Sequence, residues 1–419
     1  EYTAWRANRR PARSFTAEAV EAFVASPQGG RDRQAEREIE RALEADRAVP
    51  LGAEKFARPT PGVVHLEQSM RELVGKGRFL SSTYEAAPDR RTLRVYAEPK
   101  PYLPSLLYLS PSIEASEYLG TRAFLNARLV RYDPVGYGSE ARLDLNLGSR
   151  NALDLEIYRP LAGRFFGAAR LQASMEPWEI YGTDGKAGTL RRESLGAGID
   201  FGLSVGNRME ARLSFDAGKA RTLRSQGDAS LEAFDGPESF ASFRLKYDGL
   251  DRAMVPTSGA LASLDARAYL ETPAGSQGVR RLQGSGAWFL PVGNGSFFSF
   301  ARAGTVFDDA DPSIPFRLGG LFQMSAFAPD EMLAQKYALG GVGYMRQVGK
   351  LPLGLAAGTL RLGAWAEYAR VERFPVGIYR GWSFSFGGFA ESPVGPVFLG
   401  MSTDAERRHR LQFRIGRLF

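Results

Sequence analysis

From residue 101 to the end of the chain, apolar and polar residues alternate with a period of two. Ala141, Leu143, Leu145 and Leu147 alternate with Arg142, Asp144 and Asn146; Ala197, Ile199, Phe201 and Leu203 alternate with Gly198, Asp200 and Gly202. The same pattern runs through Met209 to Phe215, Ala241 to Tyr247, Ala262 to Leu270 and Leu360 to Tyr368. A period of two puts successive side chains on opposite faces of a strand. About sixteen such segments can be drawn, each on the order of ten residues, the length of a tilted membrane strand.

Alternation alone also fits a soluble sandwich or barrel. Sixteen strands would be a very large soluble sheet, and its inner face would carry Arg, Asp, Glu and Lys at heavy cost. In a membrane the assignment reverses: the apolar face meets lipid and the charged face lines a wet lumen. Closure is then required, because an open edge in hydrocarbon leaves backbone groups unpaired. The expected fold is therefore mainly β, a 16-stranded antiparallel transmembrane β-barrel. Aromatic residues recur near segment ends (Phe165, Phe166, Trp178, Tyr181, Trp288, Trp365, Trp382) and are expected in interfacial girdles. Leu282 to Ala301 runs uncharged for long enough to suggest a membrane helix. Pro291, Gly293, Asn294 and Gly295 interrupt it, and a hairpin of two uncharged strands is expected instead.

Before residue 101 the period is different. Arg31 to Asp46 places Ala35, Ile39, Ala42 and Leu43 on one helical stripe, and His65 to Gly75 does the same with Leu66, Met70 and Leu73. Extended segments are expected at Ala19–Ser26, Phe79–Ala86 and Arg91–Ala97. The order β-α-α-β-β suits a small α+β domain with two helices on one sheet face. The organisation that follows is residues 1–14 as a linker, 15–100 as the small domain and 101–419 as the barrel.

Composition narrows the chemistry. The chain has 419 residues with 54 Lys and Arg against 47 Asp and Glu, a net charge of +7. The arginines are spread along the chain, so no nucleic-acid partner is expected. There is no cysteine and there are two histidines, His65 and His409, far apart in sequence. No metal site, cofactor or catalytic residue is expected. Gly202-Leu203-Ser204-Val205-Gly206 matches the G-x-S-x-G pattern of lipases, but that mechanism needs a strand, a strained turn and a helix. Here Asn207 to Phe215 alternates as another strand, which places Ser204 on the lumen side near a turn. The lumen carboxylates and arginines are expected to be a mixed-sign lining. His409 fits a solvated strand start, and His65 a polar residue at a helix N-terminus.

Several stretches resemble the bacterial surface-antigen superfamily of barrels, which includes barrel-assembly insertases and two-partner-secretion transporters. The β-α-α-β-β unit resembles one polypeptide-transport-associated (POTRA) domain, with VGKGRFLSSTYEAAPDRRTLRVYAEPK as its last helix end and strand pair. YDGLDRAMVPTSGALASLDARAYL resembles the superfamily's strand-turn-strand hallmark, with Asp251, Pro256 and Gly259 at the matching positions. Within the superfamily, the patatin-type (type Vd) autotransporters are the group most resembled, through LDLEIYRPL, LGGLFQMSAFAPDEM, LPLGLAAGTLRLGAWAEYA and SPVGPVFLGMSTDAERRHRLQFRIGRLF. The match spans roughly residues 15 to 419. Leu411, Phe413, Ile415 and Phe419 share one face and resemble the C-terminal signal read by the barrel-assembly machinery; Arg417 interrupts that face and is expected to snorkel.

The resemblance implies a Gram-negative outer-membrane translocator with its POTRA-like domain in the periplasm. It would anchor and help export a covalent N-terminal passenger, a patatin-like phospholipase, and the chain would start just after that lipase. Its partners would be outer-membrane lipid, the passenger and the assembly machinery; whether it forms a homodimer stays open. The loop from Asp308 to Gln335 is long enough to fold into the lumen and plug it. Insertases and two-partner transporters carry an Arg-Gly pair in that loop. Here the position reads Met324-Ser325-Ala326-Phe327, and even the Ser-Gly-aromatic form of the patatin group is altered by Ala326. The missing Arg counts against an insertase. A barrel-assembly insertase or two-partner-secretion transporter, acting on a separate client, and a plain outer-membrane channel remain as rival readings.

Overall fold

The computed structural model describes residues 105–419 apart from 117–119, 137, 162–163, 183–184, 206–207, 228–232, 308–310, 354–355, 374–376, 393–394 and 417–419. Before residue 105 it describes 15–16, 19–25, 30–43, 50–51, 66, 70, 79–88 and 91–99. The chain divides into two compact units, Glu1–Leu106 with Arg131–Gly138, and Leu107–Val130 with Ser139–Phe419.

In the first unit, β1 (Phe15–Thr16) pairs with β3 (Pro50–Leu51). A separate mixed sheet has the order β2 (Ala19–Val24), β5 (Thr92–Pro99), β4 (Phe79–Ala86), with β2 parallel and β4 antiparallel to β5. Helix α1 (Arg33–Ala42) starts where Asp32 accepts a hydrogen bond from the Ala35 amide at 3.0 Å, a side-chain N-cap. Its stripe Ala35, Ile39 and Leu43 is buried against Ala22, Val24, Leu93 and Val95, as the periodicity predicts. Glu36, on the first turn, accepts from the Val24 amide at 3.1 Å and from Arg31 at 2.7 Å, tying helix to sheet. Of the second predicted helix only Leu66 and Met70 are described; both are helical and join the same core.

The second unit is a closed antiparallel barrel. Its strands are β6 (Ser105–Ser116), β7 (Gly120–Tyr132), β8 (Glu140–Gly148), β9 (Asn151–Pro160), β10 (Phe165–Gly182), β11 (Gly185–Val205), β12 (Met209–Gly227) and β13 (Asp235–Asp248). They continue with β14 (Gly259–Glu271), β15 (Arg280–Val292), β16 (Gly295–Phe307), β18 (Met332–Leu353), β19 (Ala356–Arg373), β20 (Gly377–Ser392), β21 (Gly395–Asp404) and β22 (His409–Ile415). The three-residue β17 (Phe316–Leu318) lies on β18 inside the long connection, while β16 pairs with β18 directly, so the wall has sixteen strands. Pro291 to Gly295 forms the expected hairpin turn between β15 and β16. The end where β6 begins is called proximal below and the other distal; β16 ends and β18 begins at the distal end, where the long connection between them arises.

Two expectations need correction. Wall strands run from 7 residues in β22 to 22 in β18, not uniformly near ten. Ten residues is what the hydrocarbon demands; several strands extend beyond it, where outward charges such as Lys219 pair across the sheet with Asp235 at 2.8 Å. The aromatic girdle is also split between faces. Phe165, Trp288 and Trp382 face outward, but Phe166, Trp178 and Trp365 are buried inward. Neighbouring positions on a strand face opposite ways, so nearness to a strand end does not decide which side an aromatic takes. Arg212 lies over the Phe166 ring at 5.1 Å, and Arg192 over Trp178 at 5.5 Å.

The outward face is apolar, with Leu195, Ile199, Phe201, Leu213 and Phe215 exposed, as alternation predicts. The wall closes where β22 meets β6 through four register pairs, Gln412–Ser116 to Ile415–Ile113, against eighteen between β10 and β11. Ser112 adds a hydrogen bond from its hydroxyl to the Ile415 carbonyl at 2.9 Å.

Candidate functional site

The described part of the distal connection, 311–331, folds into the lumen and carries a tight tip. Gly319 and Gly320 have φ of 122° and 92°, and Phe322 and Met324 also sit in the left-handed region at 59° and 70°. The tip closes on itself through the Gly320 amide donating to the Phe327 carbonyl at 3.0 Å and Phe327 to Met324 at 2.9 Å. Left-handed conformations cost non-glycine residues about 1–2 kcal/mol each, so contacts elsewhere must hold them.

Those contacts come from the inner wall. The amides of Met324 and Ser325 donate to the two oxygens of Glu367 on β19, at 3.0 and 2.8 Å. The Ala326 amide donates to the Ser383 hydroxyl on β20 at 3.1 Å. Gln412 on β22 donates to the Ser325 carbonyl at 2.7 Å and to Ser402 at 2.9 Å, and Arg410 donates to the Phe327 carbonyl. Glu367 is fully buried and makes no ion pair among the described residues; the loop's own amides solvate its carboxylate. Around this seat the packing is aromatic. Phe322 lies 4.9 Å from Trp365 and 5.5 Å from Phe300, ring to ring, and Phe327 lies 5.1 Å from Tyr379. Near the distal end the loop is tied by charge. Arg317 pairs with Glu176 at 3.2 Å and Asp330 at 2.8 Å, and Arg408 reaches Glu331 at 3.4 Å.

The other half of the lumen, along β8 to β13, is lined by charged side chains. A cavity of about 580 Å³ is lined there by Arg142, Glu156, Arg170, Arg212, Arg244 and neighbours. Arg170 bonds Asp200 with two nitrogens, both at 2.8 Å, and reaches Asp216 at 3.0 Å. Arg212 joins Glu156 at 2.6 Å and Asp200 at 2.8 Å, and Arg142 reaches Glu156 at 3.1 Å. Gly198 is the register partner of both Arg170 and Asp216. A Cβ there would run into Asp216, so the glycine lets an arginine on β10 reach a carboxylate on β12 across β11. The chemistry is a mixed-sign lining, as expected.

The turn motif holds together locally. Asp251 accepts from the amides of Thr257 and Ser258 at 2.8 and 3.1 Å and from the Thr257 hydroxyl at 2.6 Å. Pro256 is buried beside Val255. Gly259 has φ 102°, and a Cβ there would run into the Gly249 carbonyl. Burial raises the Asp251 pKa, but the Thr257 and Ser258 hydrogen bonds outweigh it and hold the carboxyl at about 2. Since the folded value lies below the unfolded one of about 3.9, this support is complete above pH 4 and disappears as pH falls toward 2. Gly259→Ala is expected to destabilise the barrel by about 2 kcal/mol or more at neutral pH. Asp251→Asn is expected to flatten the acid dependence of the urea midpoint between pH 4 and 2. An unchanged pH profile in Asp251→Asn would remove the cap from the account.

Other predicted positions separate. Leu411, Phe413 and Ile415 lie on β22, with Leu411 exposed on the outer face; Phe419 lies outside the described residues. Ser204 is on β11 next to a hairpin, its amide donating to the Arg164 carbonyl at 2.9 Å, with β12 following rather than a helix. His409 is exposed at the start of β22, and His65 lies outside the described residues. Sequence reasoning did not single out Glu367 or Gln412. The signal for Glu367 was present: on the inward face of β19 it is a lone acid among Gly363, Trp365, Ala369 and Val371.

The pattern of the Omp85 superfamily domain matches residues 134–417. The chain belongs to the Omp85 superfamily. Among solved structures, this Omp85 barrel is similar to BamA from Haemophilus ducreyi lacking POTRA domains 1-3, at 12% identity and a TM-score of 0.66, covering 96% of this chain and 84% of that one. It is also similar to CdiB from Acinetobacter baumannii, at 7% identity and a TM-score of 0.55, covering 97% and 90%. At such identities the likeness is one of fold. No curated protein sequence matches the chain. With its lipid-facing alternation, the protein is an outer-membrane barrel of the Omp85 superfamily.

Proposed function

We propose that this Omp85 barrel is a translocator that anchors an N-terminal passenger in the outer membrane and helps export it. The observation that carries this reading is the division of the lumen. One half is filled by the seated loop tip, and beside it lies a salt-bridged half with about 580 Å³ of open space. A chain in transit exposes peptide groups that need a wet wall, and a mixed-sign lining holds neither acidic nor basic segments strongly. In this reading the first unit acts in the periplasm as a POTRA domain. Among the described residues the sheet order leaves β2 and β4 as edges, and an extended client can pair with such an edge by β-augmentation. The outward residues of β22 serve as the mark for the assembly machinery. The passenger, by the resemblance to patatin-type autotransporters, is a phospholipase.

The gene sequence upstream of Glu1 tests the reading. An open frame carrying G-x-S-x-G and a downstream D-G-G or D-G-A is expected, and fusing it to this chain should bring lipase activity to the surface of intact cells. A signal peptide running directly into residue 15 would overturn the passenger and leave a separate-client transporter or insertase.

A further inference from the structure

The outer wall from β14 to β20 carries a groove that translocation does not use. Its volume is about 710 Å³, and Trp288, Tyr368 and Trp382 stand around it. Its floor follows one register row, which runs from Ala262 at its margin through Gly286, Ala301 and Gly340 to Tyr368 and Trp382. The row faces outward, since Trp382 at its end is half exposed and packs at a tilt against Tyr368, ring centroids 4.8 Å apart. Neither glycine in the floor is demanded by conformation or crowding. A Cβ would meet nothing nearer than 3.5 Å at Gly286 or 3.6 Å at Gly340. Glycine weakens a strand interior and often marks a place where something approaches closely.

Charge lies at the distal end of the same face. Arg370 and Arg380 are direct register partners. Each lies two residues beyond Tyr368 or Trp382 on the outward side, about 7 Å farther along the strands. Lys336 on β18 is also outward and exposed, with Glu372 opposite it. None of these three cations makes an ion pair among the described residues. By contrast, the outward Lys219 and Arg221 on β12 pair with Asp235 at 2.8 Å and Glu193 at 2.7 Å. Aromatic belts mark the headgroup level of a membrane, the level at which these three cations, with Glu372 as the acid opposite Lys336, would meet lipid phosphates.

We propose that this face binds a phosphorylated membrane lipid. Its phosphate lies between Arg370 and Arg380, supported by Lys336, and an acyl chain lies in the groove beneath Trp382 and Tyr368. Planar guanidinium forks suit phosphate oxygens, and the apolar floor suits a chain.

Native mass spectrometry of the folded, delipidated protein tests this, with phosphatidylglycerol as probe, phosphatidylcholine as control and inorganic phosphate as competitor. One phosphatidylglycerol is expected to be retained, and phosphatidylcholine at least tenfold more weakly. Arg370→Ala with Arg380→Ala should weaken retention tenfold or more, and Gly340→Leu, which fills the groove while leaving the arginines, should do likewise. Heat-modifiable gel mobility checks that each variant is folded; should Gly340→Leu not fold, Ala301→Leu fills the same groove. Equal retention in wild type and the arginine variant, or equal retention of the two lipids, would overturn the site. Complete displacement by equimolar inorganic phosphate would show a bare anion site and overturn the lipid.

Discussion

Replacing Glu367 with alanine is expected to unseat the loop tip while leaving the wall closed. The change removes the acceptor for two buried amides, Met324 and Ser325. Each stranded donor costs about 1–3 kcal/mol. A combined loss of about 3 kcal/mol shifts the balance between seated and free loop by roughly a hundredfold. The strained φ values at Phe322 and Met324 add to the push, since the seat is what holds them. The expected readouts are a rise in single-channel conductance in planar bilayers and new protease cleavage between residues 319 and 331. Glu367→Gln keeps one oxygen but turns an amide nitrogen toward a donor, so a smaller effect in the same direction is expected. Conductance and cleavage identical to wild type in Glu367→Ala would show that aromatic packing alone holds the tip.

Arg170→Met is expected to produce the largest loss of barrel stability. Among the described residues Arg170 alone pairs with Asp216 and is one of two ion-pair partners of Asp200, and all three lie within the lumen wall. Removing one member of a buried charge cluster costs about 3–5 kcal/mol, because the carboxylates left behind are poorly solvated and face each other. Arg170→Lys keeps the charge but loses the two-pronged contact with Asp200, so an intermediate loss is expected. Urea midpoints in lipid vesicles measure both. Combining Arg170→Met with Asp200→Asn and Asp216→Asn should recover much of the loss. A midpoint for Arg170→Met within error of wild type would mean that lumen water compensates these carboxylates.

The barrel was legible in the sequence because lipid imposes a simple rule. Leu195, Ile199 and Phe201 must alternate with Gly196, Gly198 and Asp200 if one face is to meet hydrocarbon. The inward aromatics were harder to assign, since Trp365 differs from Trp288 only in the parity of its strand position, and that parity follows from a register no local pattern reveals. The loop seat was less legible still. Phe322 and Met324 adopt left-handed backbone that neither residue type advertises. Glu367 acquires its meaning from amides 42 and 43 residues away. The sequence did show that the usual loop Arg was absent. It could not show that the loop's backbone makes the contact instead. The floor of the outer groove is likewise spread over four strands, and only the register assembles it.

The meeting of β22 with β6 also has a consequence in time. Its contacts join residues about 300 positions apart, such as Ser112 and Ile415, whereas neighbouring hairpins close over a few. Loop-closure entropy grows with the logarithm of separation, and the difference between a few residues and 300 is about 4 kcal/mol. Four register pairs must meet that entropic cost, while β10 and β11 face a far smaller one with eighteen. On this entropic ground the barrel is expected to zip hairpin by hairpin, with the junction of β22 and β6 forming last. Both terminal strands keep an unpaired edge until that junction closes, and an unpaired edge is costly in hydrocarbon.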